Sequence, residues 1–243
     1  MSEIKNDINE TYFGIDSKII GFWVSIIGTI LGLFFHLAPI KQFIKIYKKE
    51  ESHKTIPEMV LILNTLCAIS WFVYWSRLGY FVPCLSSFIN IIIFLIFCII
   101  YLYYYVGEKI FSFIIAVFIY YLTIFEYYYL CKYIFSITTI GNLAMIINII
   151  QFFFPCSYIL IVLKTGNIKL IILSFSLIGV LCSSLWLFYG FIIKNINLII
   201  TNVIGLCLSI IQIIVYYYFY CKFGEKINDN DYEEKSEELE EKN

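Results

Sequence analysis

Seven apolar runs, each close to the thickness of a bilayer, constrain this chain more than any other feature. They fall at about 19–40, 58–75, 83–105, 110–130, 137–163, 170–192 and 198–222. The hydrocarbon core of a membrane demands about 20 apolar residues per crossing. A helix satisfies every backbone group within its own segment, which lipid requires. The alternating pattern of a transmembrane barrel is missing. The expected fold class is therefore all-α transmembrane with seven helices. Composition agrees: 61% of the 243 residues are hydrophobic and only 14% are charged, against about 25% charged in a soluble domain. The run at 58–75 is short, and a tilted or bent helix absorbs the mismatch.

The flanks set an expected orientation. Residues 1–18 are polar and mixed in charge, so no cleavable signal is expected, and the first span serves as an uncleaved one. Twelve of the 17 Lys and Arg side chains fall on one side: Lys41, Lys45, Lys48, Lys49, Lys54, Lys109, Lys164, Lys169, Lys222, Lys226, Lys235 and Lys242. The other five are Lys5, Lys18, Arg77, Lys132 and Lys194. The excess predicts an outside N-terminus and a cytosolic C-terminus. A plasma membrane is favoured over an organellar one. The acidic tail, 223–243, is expected to be disordered. A net charge of −1 implies no nucleic-acid partner. The eight cysteines are scattered in or beside the spans without a C-x-x-C pair. They read as small apolar fillers. No metal spacing and no cofactor motif stands out, and no phosphate loop or nucleophile elbow points to an enzyme.

The chain nearly repeats itself. Pro39 and Pro155 are 116 residues apart; Trp71 and Trp186 are 115 apart, as are Tyr74 and Tyr189; Asn90 and Asn202 are 112 apart. The order is kept and the offset almost so. The expected organisation is an extracellular segment (1–18), a three-helix repeat (19–105), a linker helix (106–134), a second three-helix repeat (135–222) and the tail (223–243). One span between the triplets gives both the same direction, so an axis along the membrane normal relates them.

The repeat also fixes a layer. Trp71, Asn90, Trp186 and Asn202 lie at similar depth in the outer half of the membrane, as two Trp–Asn pairs across a central axis. An Asn amide offers two donors and an acceptor. A Trp ring offers a flat apolar face and one N–H. Together they suit the hydroxyls and the C–H face of a neutral sugar. No acid or base shares the layer, which disfavours a charged ligand. Asn as interhelical glue and Trp as an interfacial anchor are the competing structural readings, and Trp23 and Trp75 are read as such anchors.

At these residues the chain resembles the SWEET family of sugar transporters. The second repeat carries Gly141 and Pro155, then SLWLFYG with Trp186, Tyr189 and Gly190, then Asn202, Gly205 and Gln212. The first carries Gly28, Pro39, Pro57, Asn64, Trp71, Tyr74 and Asn90, with Trp75 and Ile93 where glycines would match. The resemblance implies two three-helix bundles joined by a linker helix. It implies bidirectional facilitated diffusion of a sugar, with substrate held by Trp71, Asn90, Trp186 and Asn202. It implies a gate at Tyr74 and Tyr189, where Asn195 replaces an Asp, and helix hinges at Pro39, Pro57 and Pro155. A fourth hinge would fall near Ile172, where no proline stands. Two Trp residues narrow the site and favour a monosaccharide such as glucose. One chain already holds both triplets, and assembly into a homo-oligomer stays open.

Other readings have less support. A seven-helix receptor has no reason to repeat its first three spans, and its D-R-Y and N-P-x-x-Y motifs are absent. A retinal protein needs a Lys in the last span, and Leu198–Cys221 has none. A proton-coupled PQ-loop-like transporter of amino acids or small solutes shares the topology, but Ile40 and Cys156 follow the prolines instead of Gln. Glu126 is the only carboxylate well inside a span and the natural suspect for coupling. His36 reads as a hydrogen-bonded packing residue.

Overall fold

In the computed structural model the described residues are 11–12, 15–37, 39–50, 58–106, 109–165 and 173–240, without the side chains of 11–15, 58, 153–158, 165 and 223–240. Eight α-helices form the molecule among them. A two-residue antiparallel pair precedes them, with Thr11 opposite Asp16 and Tyr12 opposite Ile15. The Asp16 carboxylate then accepts from Lys18 N–H at 2.9 Å and caps α1, Ser17–His36. Pro39 has no N–H to continue the ladder. The helix stops and restarts there as α2, Ile40–Tyr47, whose first backbone bonds run from Gln42 and Phe43 to the Pro39 carbonyl. The first span is thus broken at the expected proline, while Pro57 and Ile172 lie outside the described residues.

The remaining helices are α3 (Glu58–Leu78), α4 (Phe81–Val106), α5 (Ile110–Tyr129), α6 (Ile137–Thr165), α7 (Leu173–Ile192) and α8 (Ile196–Glu240). A π-helical turn, Leu130–Ile134, ends the linker helix. Six stretches are long and apolar enough to cross a membrane, including Ser17–Tyr47 and Ile196–Lys222. In α6 the described apolar part is Ile137–Phe152. The whole helix has 29 residues, about 43 Å at 1.5 Å per residue, and its backbone runs through Pro155 without a break. Backbone helix also continues beyond Lys222 to Glu240. The side chains of that tail, and the disorder expected for it, lie outside the described residues.

Packing follows the repeat. In the first triplet α4 packs on both α1 and α3; in the second α8 packs on both α6 and α7. Each third helix therefore sits between the first two. The triplets meet through α1 on α7 and α3 on α6, so the first helix of each meets the second helix of the other. That reciprocity is what a two-fold axis along the bundle produces. The α1–α7 contact is close because the buried face of α1 is all small: Ser17, Gly21, Ser25, Gly28 and Gly32. Lipid offers no hydrophobic drive for helix association, so close backbone approach supplies the dispersion energy instead.

The hairpin turns obey the repeat as well. α3 ends in a Schellman motif: Tyr80 N–H reaches Trp75 O at 3.1 Å, Gly79 N–H reaches Ser76 O at 3.3 Å, and Gly79 has φ +77°. α7 ends the same way, with Asn195 N–H to Gly190 O at 2.9 Å and Lys194 N–H to Phe191 O at 3.2 Å. Here Lys194 takes the left-handed position at φ 53°, at a cost of roughly 1–2 kcal/mol for a residue with a Cβ.

The linker helix belongs to the first triplet, packing on α4 and α3. Tyr127 meets the Ser70 hydroxyl at 2.6 Å, and Tyr120 meets Thr65 at 3.0 Å and Cys98 Sγ at 2.9 Å. Ser70 already gives its proton to Leu66 O, so Tyr127 is the donor. Such interhelical bonds are worth about 0.6–2 kcal/mol each in a membrane. The opposite face of α5 carries exposed Phe118, Leu122, Phe125 and Glu126.

Candidate functional site

The end of the bundle that holds the two hairpin turns is filled by aromatic rings. Trp71 stacks flat on Trp75, at 5.3 Å between centroids and 12° between planes. Tyr74 meets both edge-on, at 5.7 and 5.0 Å. Trp75 meets Tyr80 at 5.8 Å, Tyr80 meets Tyr189 at 6.5 Å, and Tyr189 meets Trp186 at 5.7 Å. The rings thus form one continuous chain from the first-repeat Trp to the second-repeat Trp. Offset-stacked and edge-to-face pairs of this kind add about 0.5–1.5 kcal/mol each beyond area burial. Trp23 is 58% exposed, as an anchor should be, but Trp75 is 3% exposed. Trp75 is a core ring under Trp71 and not a belt residue, because it follows Trp71 by one helical turn on the same face of α3.

Three rings of the repeat, Trp186, Tyr189 and Tyr74, lean on a glycine of the opposite triplet. Trp186 covers Gly28: a Cβ there would sit 3.2 Å from the indole Nε1 and Cε2. Tyr74 and Asn197 cover Gly141 so closely that a Cβ would collide with both. One turn before each Trp stands a cysteine that repeats the pattern, a pairing that scattered cysteines in apolar spans do not announce in the sequence. Cys182 Sγ approaches Gly28 O at 3.9 Å, and Cys67 Sγ approaches Ala144 O at 3.8 Å. Both are weak thiol donors to a backbone carbonyl across the triplet boundary. They are 115 residues apart, like the Trp pair.

Tyr74 and Asn195 join directly. Asn195 Nδ2 donates to the Tyr74 hydroxyl at 2.8 Å, while its Oδ1 accepts from Leu198 N–H at 3.0 Å. Asn195 is thus an N-cap whose free donors tie α8 to α3 across the two triplets. Tyr189 is buried beside it, 5% exposed, against Gly21 of α1.

Of the asparagines, one is level with the tryptophans and one lies below them. Taken from the turn end at 1.5 Å per residue, Trp71 and Trp186 are about 9–10 Å deep, Asn202 about 9 Å and Asn90 about 14 Å. Asn202 is buried and its Nδ2 donates to Leu198 O of its own helix at 2.8 Å. Asn90 is half-buried, and its Oδ1 is buried without a hydrogen-bond partner. His36 lies against Asn90 and sets its ring edge on Phe94 at 5.3 Å. His36 shares a side-chain hydrogen bond with Asn90, as a hydrogen-bonded packing residue should, although its buried Nδ1 has no partner of good geometry. Gln151 Nε2 on α6 is a third such atom. Buried polar atoms are nearly always paired, so each of these marks a polar position in an otherwise apolar interior. Glu126, on the outer face of α5, takes no part in this arrangement. Among the described residues no group of three or more His, Cys, Asp or Glu side chains could hold a metal ion.

These features define a helical membrane protein of two parallel three-helix repeats, with a linker helix and a shared polar–aromatic layer. Comparison with known proteins gives the particular family. A family model described as "Sugar efflux transporter for intercellular exchange" matches residues 22–109 and again 138–223, one match per repeat. The chain belongs to this family, the SWEET family, whose members are transporters and not enzymes. A curated relative, the "Bidirectional sugar transporter NEC1" of Petunia hybrida, is 26% identical over 216 residues, spanning 86% of this chain and 80% of the relative. The solved structure of a eukaryotic SWEET transporter superposes with a TM-score of 0.74 over 84% of this chain and 99% of that one, at 18% identity. That last likeness concerns the fold.

Proposed function

We propose that this protein is a bidirectional sugar uniporter that passes a small neutral sugar, a monosaccharide such as glucose, down its gradient by alternating access. The observation that carries the reading is the repeated pairing of Trp71 with Asn90 and Trp186 with Asn202, within about 5 Å of one another in depth, at the ring-filled end of the bundle. The asparagines supply donors and acceptors for hydroxyls, and the indoles supply apolar faces for C–H surfaces. Family membership and the sugar-transporter relative point the same way. With the N-terminus outside, as the Lys and Arg distribution favours, the Tyr74–Asn195 bond closes the extracellular end. The substrate then exchanges with the cytosolic side. Breaking that bond while the break at Pro39 and the helix at Pro155 flex would reverse the access, with Tyr189 released on the other side of the gate. The plasma membrane is the favoured location.

The test is radiolabelled glucose uptake and efflux in proteoliposomes, at equal pH and then across an imposed pH gradient. The uniporter should move glucose downhill in both directions and ignore the gradient. Uphill accumulation driven by pH would overturn uniport and bring Glu126 forward. Absence of glucose flux would move the search to other solutes, amino acids first.

A further inference from the structure

One stretch of chain joins the two triplets: α5 with its π-helical turn, then Phe135 and Ser136, then α6. As far as Ile134 that stretch is fastened to the first triplet. α5 packs on α3 and α4 and bonds to them through Tyr120 and Tyr127, and the π turn packs on α3. Cys131 in that turn is fully buried, in one cluster with Trp71 and Trp75. From Ile137 the chain belongs to the second triplet and packs on α8. Only Phe135 and Ser136 lie between, outside any helix. The two sides of this joint are built differently. On the first-triplet side Phe135 is extended, with ψ 145°, and its N–H closes the π turn on Leu130 O at 2.9 Å. Its carbonyl accepts from Arg77 Nη1 of α3 at 2.7 Å. A guanidinium bond to a carbonyl at a helix C-terminus is charge-assisted and favoured by the helix dipole. On the other side the Ser136 hydroxyl accepts from Thr139 N–H at 3.1 Å. That is an N-cap, so α6 starts afresh there. Arg77 has no counterpart in the second repeat. At the 115-residue spacing its place is taken by Ile192, which lies against Gly21 of α1 without a polar side-chain atom to hold anything.

We propose that Phe135–Ser136 is the pivot on which the second triplet turns against the first during alternating access, and that Arg77 is the positioning residue that pins its first-triplet side. Rocking of one repeat against the other must be taken up on the single covalent path between them. Hinges are a few element-terminal residues that absorb backbone rotation, and here two such residues stand between a fastened helix and a freshly capped one. Pro39 and Pro155 bend helices inside a triplet, whereas this joint lies between triplets. α5 then travels with the first triplet. Arg77 stands one turn beyond Tyr74 on α3, so pivot and gate share the same end of the bundle. The inference rests on the alternating access of the uniporter reading and adds where that motion is seated.

The experiment measures spin-label distances in proteoliposomes, on a chain in which the exposed Cys207 and Cys221 are replaced by Ser. One pair, at Phe81 and Tyr133, lies within the first triplet and the linker. The other, at Phe118 and Leu181, spans the pivot. All four positions are exposed. Distances are read with and without glucose, and again with Asn195→Ala to release the gate. The Phe118–Leu181 distance should shift by several ångströms while Phe81–Tyr133 stays fixed. Movement in both pairs, in neither, or in Phe81–Tyr133 alone, with glucose still transported, would overturn the pivot and leave the uniporter reading standing. Arg77→Ala should broaden the Phe81–Tyr133 distribution and lower glucose flux about fivefold or more. Arg77→Lys, which can still donate to the carbonyl, should keep most of the flux and the sharp distance. A structural role alone would reduce the amount of active protein and leave the distances sharp. Unchanged distance and flux in Arg77→Ala would remove the pin. Should Arg77→Ala not reach the membrane, Arg77→Gln against Arg77→Lys decides by the same criterion. Failure of the wild type to move glucose at all would remove the underlying reading itself.

Discussion

At the scale of single residues, the paired positions carry different duties despite their matched spacing. Asn202 returns its amide to its own helix, Asn90 turns to His36 on α1, and the indoles differ too: Trp71 is buried on Trp75, whereas Trp186 is partly exposed. The second-repeat pair is the one to test by truncation. Asn202→Ala and Trp186→Ala should each lower glucose flux by about tenfold or more, which is about 1.4 kcal/mol of binding or barrier, with the protein still at the membrane. Flux assays paired with surface labelling check this, and normal flux from both would remove these residues from the site. The recurrence of W-x-x-Y and Asn is what singles these four out in the sequence. Trp75 departs from the anchor expectation because a Trp near a span end carries the same signal whether it faces headgroups or a neighbouring ring. Tyr80, which bridges the two halves, sits in a turn where periodicity has nothing to say.

At the scale of elements, length and apolar composition gave the spans to within a few residues, since the bilayer itself sets them. The break between α1 and α2 was readable from Pro39. The π-helical turn after α5 was not, because no residue type demands an i→i+5 bond. Close helix approach was only half readable: glycines show in a sequence, but the ring that covers each one does not. Gly141 is the sharpest case. Gly141→Ala would place a methyl into Asn197 and the Tyr74 ring, and overpacking of this kind costs about 1–3 kcal/mol. The variant should lower the melting midpoint in detergent by several degrees, more than the same change at Gly32, where a Cβ meets only Cys182 Sγ at 3.9 Å. Equal midpoints for the two would show that α6 has room to move away.

At the scale of the whole molecule, the repeat is visible three times over: in sequence offsets, in the reciprocal packing of α1 on α7 and α3 on α6, and in two family matches along one chain. The symmetry is of scaffold more than of chemistry. Gly79 corresponds to Lys194 across it, His36 to Phe152, and α5 packs chiefly on α3 and α4 of the first triplet. The cross-triplet bond between Tyr74 and Asn195 has one more consequence. Where an acidic partner would place a negative charge at the moving end of α8, this chain has an amide. The membrane potential does work of about 2.3 kcal/mol on each elementary charge carried through 100 mV; at the Asn195 position it has none to act on, and the cations of that end, Arg77 and Lys194, stand in or beside the hairpin turns. Opening and closing of that end should therefore be electrically silent: clamping proteoliposomes at 0 and −100 mV with a potassium gradient and valinomycin should leave glucose exchange rates the same, whereas a voltage-dependent rate would locate a moving charge elsewhere in the bundle.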